Sequence, residues 1–429
     1  MVNALLDKRE ACDGDAATVL RDLRRVAAVR GLGNSALRRR AWPAMLGLPS
    51  VGAAADADAR AQGAGPVTHR DARVVECDVA RSLVHFDDVK WPDDNNATLA
   101  KKREELAWML NGVCSAHPDD VYYYQGLHDI AGVLLLIVED AALAKALLER
   151  LALHHLRDCT RPALDDVLDV LQLVPSLLRR HDPVLADVLL EADVPPHFAL
   201  SWQLTWFSHG CATLAEAARL FDLLLSGHPL LPLYVGVSAM TQPACRQRIL
   251  DARRTAAEED PEHWQSQAMA HMHKALTSLA IPGVAGADML AREAFALYKR
   301  HPPESLDGYA RVVGPLSAAQ TYPFEGRWRG GTPSAELRRY DKLRARRQKR
   351  GDWRNVEPAW LTWLGEAARS PGAPYVVTGA AALGVWLALP AASPPAKGKA
   401  RVARWTATAG WALAGAAMAA AFVASNLEG

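Results

Sequence analysis

At 429 residues, half of them apolar, the chain carries material for a sizeable core, in two domains or in one large domain with appendages. Its 49 basic and 48 acidic residues nearly cancel, which excludes the strong basic excess of a nucleic-acid binder. The six cysteines, Cys12, Cys77, Cys114, Cys159, Cys211 and Cys245, are scattered without a CxxC pair, so neither a disulfide framework nor a zinc site is indicated and a reducing compartment fits best.

Residues 1–15 are polar and mixed in charge, with no apolar signal-peptide core, and are expected to be a flexible N-terminus of a protein whose body is cytosolic. Over 16–46 the spacing of Leu20, Leu23, Val26 and Ala27 predicts a helix. Residues 51–70 are Gly/Ala-rich with little large apolar content and read as a flexible insert. Helical periodicity resumes over 71–86, 97–116, 127–157, 162–180, 182–192, 197–209, 212–226, 229–240, 243–254, 261–280 and 287–300, punctuated by prolines such as Pro118, Pro195 and Pro302. No run of short alternating strands interrupts it, so the expected fold class of the body is all-α.

Past residue 303 the composition changes. Residues 304–374 read as a linker, rich in turn formers and then in Arg344, Arg346, Arg347, Lys349 and Arg350, which are either a solvated basic linker or a patch for anionic headgroups. The stretches 375–392 and 405–424 contain no charged residue, and the second is long enough to cross a bilayer core of roughly 30 Å, with Trp405 and Trp411 suited to the interface. Residues 375–424 are therefore expected to be a membrane-anchoring tail, the first stretch being shorter and ending at Pro390. The alternative is a pair of Ala-rich buried helices.

The chemistry is carried by "VYYYQGLHDI" (121–130), where a glutamine sits on an aromatic turn just before an apolar helix. An amide is a poor acid or base, but its one acceptor and two donors suit it to hold a water in line for attack. GTP hydrolysis needs such a residue together with a positive charge against the transferring phosphoryl group. The stretch 74–86 supplies one: Arg81 lies three residues after Asp78, on the same face of a predicted helix. Taken singly, Arg81 reads as a solvated helix residue and Gln125 as a turn residue; their joint occurrence carries the functional reading.

At these residues the sequence resembles the TBC family of Rab GTPase-activating proteins. The pair DxxR (Asp78, Arg81) and YxQGxxDI (Tyr123, Gln125, Gly126, Asp129, Ile130) is similar to that family's two signature motifs, and "LRRRAWPAMLG" (37–47), "ALSWQLTWFSH" (199–209) and "ARLFDLLLSGHPLLPLY" (218–234) resemble its other elements in the same order. The details are similar to a membrane-anchored branch with a hydrophobic C-terminal tail at the endoplasmic reticulum, acting on Rabs of the early secretory pathway.

The resemblance implies an all-α TBC domain over about 16–303 and a dual-finger mechanism acting on a Rab-family small GTPase. Arg81 would enter the partner's nucleotide pocket and Gln125 would position the attacking water. GTP and Mg²⁺ would belong to the partner, so no cofactor and no metal are expected on the chain, and no nucleic acid as partner. Asp78 is expected to orient Arg81, Tyr123 to fix the finger loop, Gly126 to permit the turn, and Asp129 to cap the following helix. Asp222 is expected to make a hydrogen bond at the edge of the core. Ser82 stands where the wider family prefers Thr. His271 and His273 point to different faces of one helix and lack an Asp, Glu or Cys partner, which argues against a metal site. The rival reading is a catalytically silent TBC scaffold that binds a Rab or a membrane receptor, against which intact Arg81 and Gln125 argue.

Overall fold

The computed structural model describes residues 2–10, 16–48, 69–92, 96–277, 279–314 and 317–321. The insert expected over 51–70, its last two residues excepted, and both stretches of the expected tail lie outside that set. Among the described residues there are helices and turns and no strand, as the periodicity predicts. No helix among them is long and apolar enough to cross a membrane. The described residues fall into two compact units, the larger within 1–190, 194–250 and 273–342, the smaller within 191–193 and 251–272.

The larger unit opens with α1 (Val2–Glu10), α2 (Ala16–Arg30) and α3 (Ser35–Met45). The expectation of a flexible N-terminus is corrected here: α1 packs on α2 and α3, Leu6 is 1% exposed, and Arg40 donates to Asp7 at 2.7 Å and to Asn3 at 3.2 Å. Leu6 is buried while Val2, Ala4 and Leu5 stay at least partly exposed, which leaves little periodicity to read. The helix expected over 16–46 breaks where Gly31 and Gly33 take positive φ, and Asn34 restarts it by accepting from the Leu37 N–H at 2.9 Å.

Next come α4 (Ala72–Ala80), α5 (Ala97–Ala116), α6 (Leu127–Val138) and α7 (Ala141–Leu153). α5 matches its predicted bounds, whereas the helix predicted over 127–157 is divided at Glu139, in the left-handed region at φ 60. Asp140 then caps α7 by accepting from the Leu143 N–H at 3.0 Å. α6 is buried along most of its length, including Ile130, Val133, Leu134 and Leu135, and packs on α3, α4, α5 and α7.

The rest of the larger unit contains α8 (Asp165–Leu171), α9 (Leu173–His181), α10 (Pro183–Glu191), α11 (Leu200–Thr205), α12 (Leu214–Leu224) and α13 (Leu231–Met240). α14 (Pro243–Glu259) and α15 (Trp264–Thr277) carry most of residues 251–272 of the smaller unit, and α16 (Gly283–Arg300) packs on α2, α12 and α13. Within the smaller unit the Arg253 guanidinium lies over the Trp264 ring, 4.3 Å from its centroid, and Ala256, Ala268 and Met272 are fully buried.

Asp222 on α12 sits at the centre of the larger unit, not at the edge expected from sequence. It is 0% exposed and accepts from the Leu32 N–H at 2.9 Å, the Trp42 indole N–H at 2.9 Å and Arg38, the last at 3.0 Å from Nε and 2.9 Å from Nη2. One carboxylate thereby joins the α2–α3 break and α3 to α12, and its charge is matched by a guanidinium that is itself buried.

The chain does not become a linker at residue 304. Leu306, Val312, Val313, Ala318 and Ala319 are buried, Ser317 donates its hydroxyl to Asp158 at 2.6 Å, and the Ala318 N–H reaches the same carboxylate at 2.9 Å. His228 meets the Ala319 carbonyl at 3.0 Å. These apolar residues lie among turn formers, and their spacing alone did not mark them as packed.

Candidate functional site

α4 buries Val75, Val79 and Asp78 on one face. The helix predicted to reach residue 86 stops at Ala80, and Arg81 is the C-cap, at φ −106 and ψ 1. Several groups enforce that stop. The Ser82 hydroxyl donates to the Asp78 carbonyl at 2.7 Å, satisfying an acceptor that the next helical turn would have used. Arg103 on α5 donates to the Ser82 carbonyl at 3.2 and 3.1 Å, and the Trp91 indole donates to the Leu83 carbonyl at 3.0 Å. Leu83 is held at φ 68 with its side chain buried, and Gly132 of α6 leaves it room: a Cβ there would lie 3.0 Å from Leu83 Cδ2. Farther along, the Asp88 carboxylate accepts the Leu214 and Ala215 N–H groups at the start of α12, at 2.7 and 3.1 Å. The backbone around Arg81 is therefore fixed while its side chain is 58% exposed.

Among the described residues the guanidinium is anchored at one corner. Nη2 donates to Asp78 Oδ1 at 2.6 Å, and that hydrogen bond, above the opposing effect of partial burial, raises the Arg81 pKa beyond its ordinary value. Asp78 is buried, so its charge requires partners. The second partner comes from the other motif: the Tyr123 hydroxyl donates to Asp78 Oδ2 at 2.7 Å. Burial pushes that phenol well above its usual pKa, with the adjacent Asp78 charge acting in the same direction, so it stays a hydroxyl.

The stretch leading to Gln125 is fastened to the start of α4. The Tyr123 N–H donates to Asp71 Oδ2 at 3.1 Å, Arg70 donates to the Val121 carbonyl at 3.1 Å, and the Arg70 guanidinium lies 3.3 Å from the Tyr122 ring centroid. Gly126 follows at φ 115, where a Cβ would stand 3.1 Å from Thr205 Cγ2 and 3.3 Å from the Leu204 carbonyl oxygen. Only glycine fits there without strain. Gln125, between the buried Tyr124 and this glycine, is half-buried.

Asp78, Arg81 and Tyr123 are thus brought into direct contact, and Gly126 serves the turn. Asp129 does not cap α6: the N-cap position is Gly126, without a side-chain cap, and Asp129 faces two histidines, with Oδ1 3.4 Å from His128 Nε2 and Oδ2 4.0 Å from His209 Nδ1. Its charge also acts on Arg81 from that position. Sequence reasoning missed Asp71, Arg103 and His128. The last was visible only as half of a polar pair at the head of an apolar helix. No cluster of His, Cys, Asp and Glu among the described residues has the geometry to hold a metal ion.

Residues 35–249 match the model of the Rab-GTPase-TBC domain family. The chain is 32% identical over 249 residues to the GTPase-activating protein gyp10 of Schizosaccharomyces pombe, covering 58% of this chain and 60% of that protein. It is 30% identical over 310 residues to the human TBC1 domain family member 20, covering 70% of this chain and 68% of that protein. The crystal structure of a Chlamydomonas flagellar RabGAP TBC domain overlaps it with a TM-score of 0.45 at 16% identity, over 67% of this chain and 88% of that one. The family assignment rests on the sequence matches, not on that overlap. The matched span contains both signature motifs and the Arg38, Trp42 and Asp222 cluster that organises the core, and the chain belongs to the TBC-domain family.

Proposed function

We propose that the chain accelerates GTP hydrolysis by a Rab-family GTPase, supplying Arg81 and Gln125 in trans. The observation that carries this reading is the shared carboxylate: Asp78 holds Arg81 on one oxygen and Tyr123, two residues before Gln125, on the other. Two motifs with no catalytic capacity of their own are thereby bound to one buried anchor, with the guanidinium left open to a partner. Phosphoryl transfer asks the protein for positioning and for charge. Arg81 would neutralise charge on the transferring group, which for an arginine supplied in trans is worth ~10³–10⁵ in rate, or about 4–7 kcal/mol of barrier. Arginine suits the role because its planar fork stays charged and can bind two phosphate oxygens. Gln125 would orient the attacking water, while GTP and Mg²⁺ remain on the GTPase.

The resemblance to a membrane-anchored branch extends the proposal. The partner would be a Rab of the early secretory pathway, and residues 375–424 would hold the chain at the endoplasmic reticulum with its helical body in the cytosol. Deleting residues 370–429 would then release a soluble protein that still activates its GTPase.

The test is single-turnover hydrolysis on a panel of GTP-loaded Rabs. Wild-type protein should accelerate at least one of them, and Arg81→Ala and Gln125→Ala should each remove most of that acceleration while leaving thermal unfolding unchanged. Equal and negligible rates for wild type and Arg81→Ala across the panel would establish the silent scaffold instead.

A further inference from the structure

We infer that His128 is a positioning residue that couples the two halves of the site, its Nδ1 holding the backbone beside Gln125 and the Tyr123–Asp78–Arg81 chain together. The inference rests on the proposed function and deepens it. Nδ1 lies 2.9 Å from the Tyr123 hydroxyl oxygen, 3.4 Å from the Gly126 nitrogen and 3.4 Å from Asp78 Oδ2. The other ring nitrogen, Nε2, faces Asp129 Oδ1 at 3.4 Å. The ring is buried, so these contacts are not exchanged with bulk water.

Counting protons shows why the ring matters. Tyr123 has one hydroxyl proton and two acceptors competing for it, the Asp78 carboxylate and a bare Nδ1. With the proton on Nε2, toward Asp129, Nδ1 is an acceptor. It receives the Gly126 N–H and competes with Asp78 for the Tyr123 proton. With the proton on Nδ1, the ring donates to the Tyr123 oxygen, Tyr123 donates fully to Asp78, and the Gly126 N–H loses its acceptor. Gly126 directly follows Gln125, and Asp78 holds Arg81, so one imidazole apportions support between the two side chains.

A doubly protonated ring does neither well. It turns Nδ1 into a donor against the Gly126 N–H, and it sets a second positive charge beside Asp78, which already holds Arg81. Burial lowers the His128 pKa below its ordinary value, and the Arg81 and His209 charges act in the same direction, against the opposite pull of Asp129 and Asp78. His85, a further neighbour in this field, is likewise lowered, chiefly by burial. His128 is therefore neutral at pH 7.5, and it takes more acid than an ordinary histidine needs to charge it.

The test compares His128→Asn with His128→Gln in the full chain, using single-turnover hydrolysis on the activated Rab from pH 7.5 to 5.5. Asparagine places an amide near the Nδ1 position and cannot titrate; glutamine reaches the Nε2 position and leaves the Nδ1 position empty. At pH 7.5 His128→Asn should stay within about 3-fold of wild type, and His128→Gln should lose about 10- to 100-fold in the hydrolysis step, with the Kd for the GTP-bound Rab unchanged in both. The acid loss of wild type should be smaller in His128→Asn. Arg81→Ala is the control. A wild type without Arg81-dependent acceleration removes the function and this role with it. Loss in Arg81→Ala without loss in His128→Gln removes this role alone, as does an Asn variant as impaired as the Gln variant with an unaltered pH profile.

Discussion

The Tyr123 hydroxyl and the Asp78 carboxylate are 45 residues apart in sequence and 2.7 Å apart in space. This is the bond by which the motif carrying Gln125 reaches the residue that holds Arg81. A phenol bound to a buried carboxylate supplies a charge-assisted hydrogen bond of about 1.5–3 kcal/mol. Tyr123→Phe keeps the ring in its pocket and removes only the hydroxyl. It should leave the fold intact and reduce the proposed stimulation of GTP hydrolysis on the Rab by about 10- to 100-fold, with little change in affinity for the GTP-bound Rab. Single-turnover rates measured beside a binding titration check this, and a Phe variant with wild-type rate would detach Tyr123 from the site.

Gly126 offers a sharper separation of backbone from side chain. At φ 115, with the Leu204 carbonyl and Thr205 methyl close to its missing Cβ, it resists substitution for two reasons, conformational and steric. Gly33, at φ 80 with nothing within 4 Å of a built Cβ, resists for the conformational reason alone. Gly33→Ala should therefore cost about 1 kcal/mol in urea unfolding, and Gly126→Ala about 2–3 kcal/mol. Only Gly126→Ala should also displace Gln125 and abolish most of the acceleration. Equal activity in the two variants would mean that the turn has latitude to spare.

What the sequence disclosed and what it hid divide along physical lines. The Asp78–Arg81 pair was legible because the two residues lie three apart at the end of one short helix, and Gly126 because a glycine before an apolar helix marks a turn. All-α architecture followed from periodicity. The end of α4 at Ala80 was hidden because it depends on Arg103 and Trp91, which lie beyond the helix. Asp129 was misread because helix capping is a local rule, and its actual neighbours include His209, 80 residues on, brought there by the tertiary fold. His128 and Asp222 were underrated for the same reason: the value of a polar side chain inside a helical protein is set by distant partners, and one sequence does not name them.

Asp222 shows how large such a hidden effect becomes. Its removal in Asp222→Ala leaves the Arg38 guanidinium, the Trp42 indole N–H and the Leu32 N–H with no carboxylate in a site that water does not reach. Breaking a buried pair from one side costs about 3–5 kcal/mol. Trp42→Phe, which deletes one of those donors and part of a ring, should cost about 1–3 kcal/mol. Urea denaturation of both variants gives the order, and an Asp222→Ala variant less than 1 kcal/mol below wild type would show that the cluster contributes little.

Acid should destabilise the fold through its buried histidines. Burial drives the pKa of His155 down to about 3 and that of His228 to about 4, so both are neutral in the folded chain. Unfolded, each takes up a proton near pH 6.5. Between 6.5 and those values the unfolded chain binds more protons, so stability rises with pH across that window and is lost as pH falls through it. At pH 5 each of these two fully buried rings should contribute a loss of about 2 kcal/mol relative to neutral pH. Asp158, whose carboxyl is raised by burial, works in the opposite direction and softens the loss. The urea midpoint should therefore be flat above pH 7 and decline from pH 6.5 downward. His228→Gln, whose amide can still donate to the Ala319 carbonyl but no longer accepts the Leu230 N–H, should lessen the slope at a cost of about 1–3 kcal/mol at pH 7.5. A midpoint that stays constant from pH 7 to 5 would mean that these rings are charged, or exposed to water, in the folded protein.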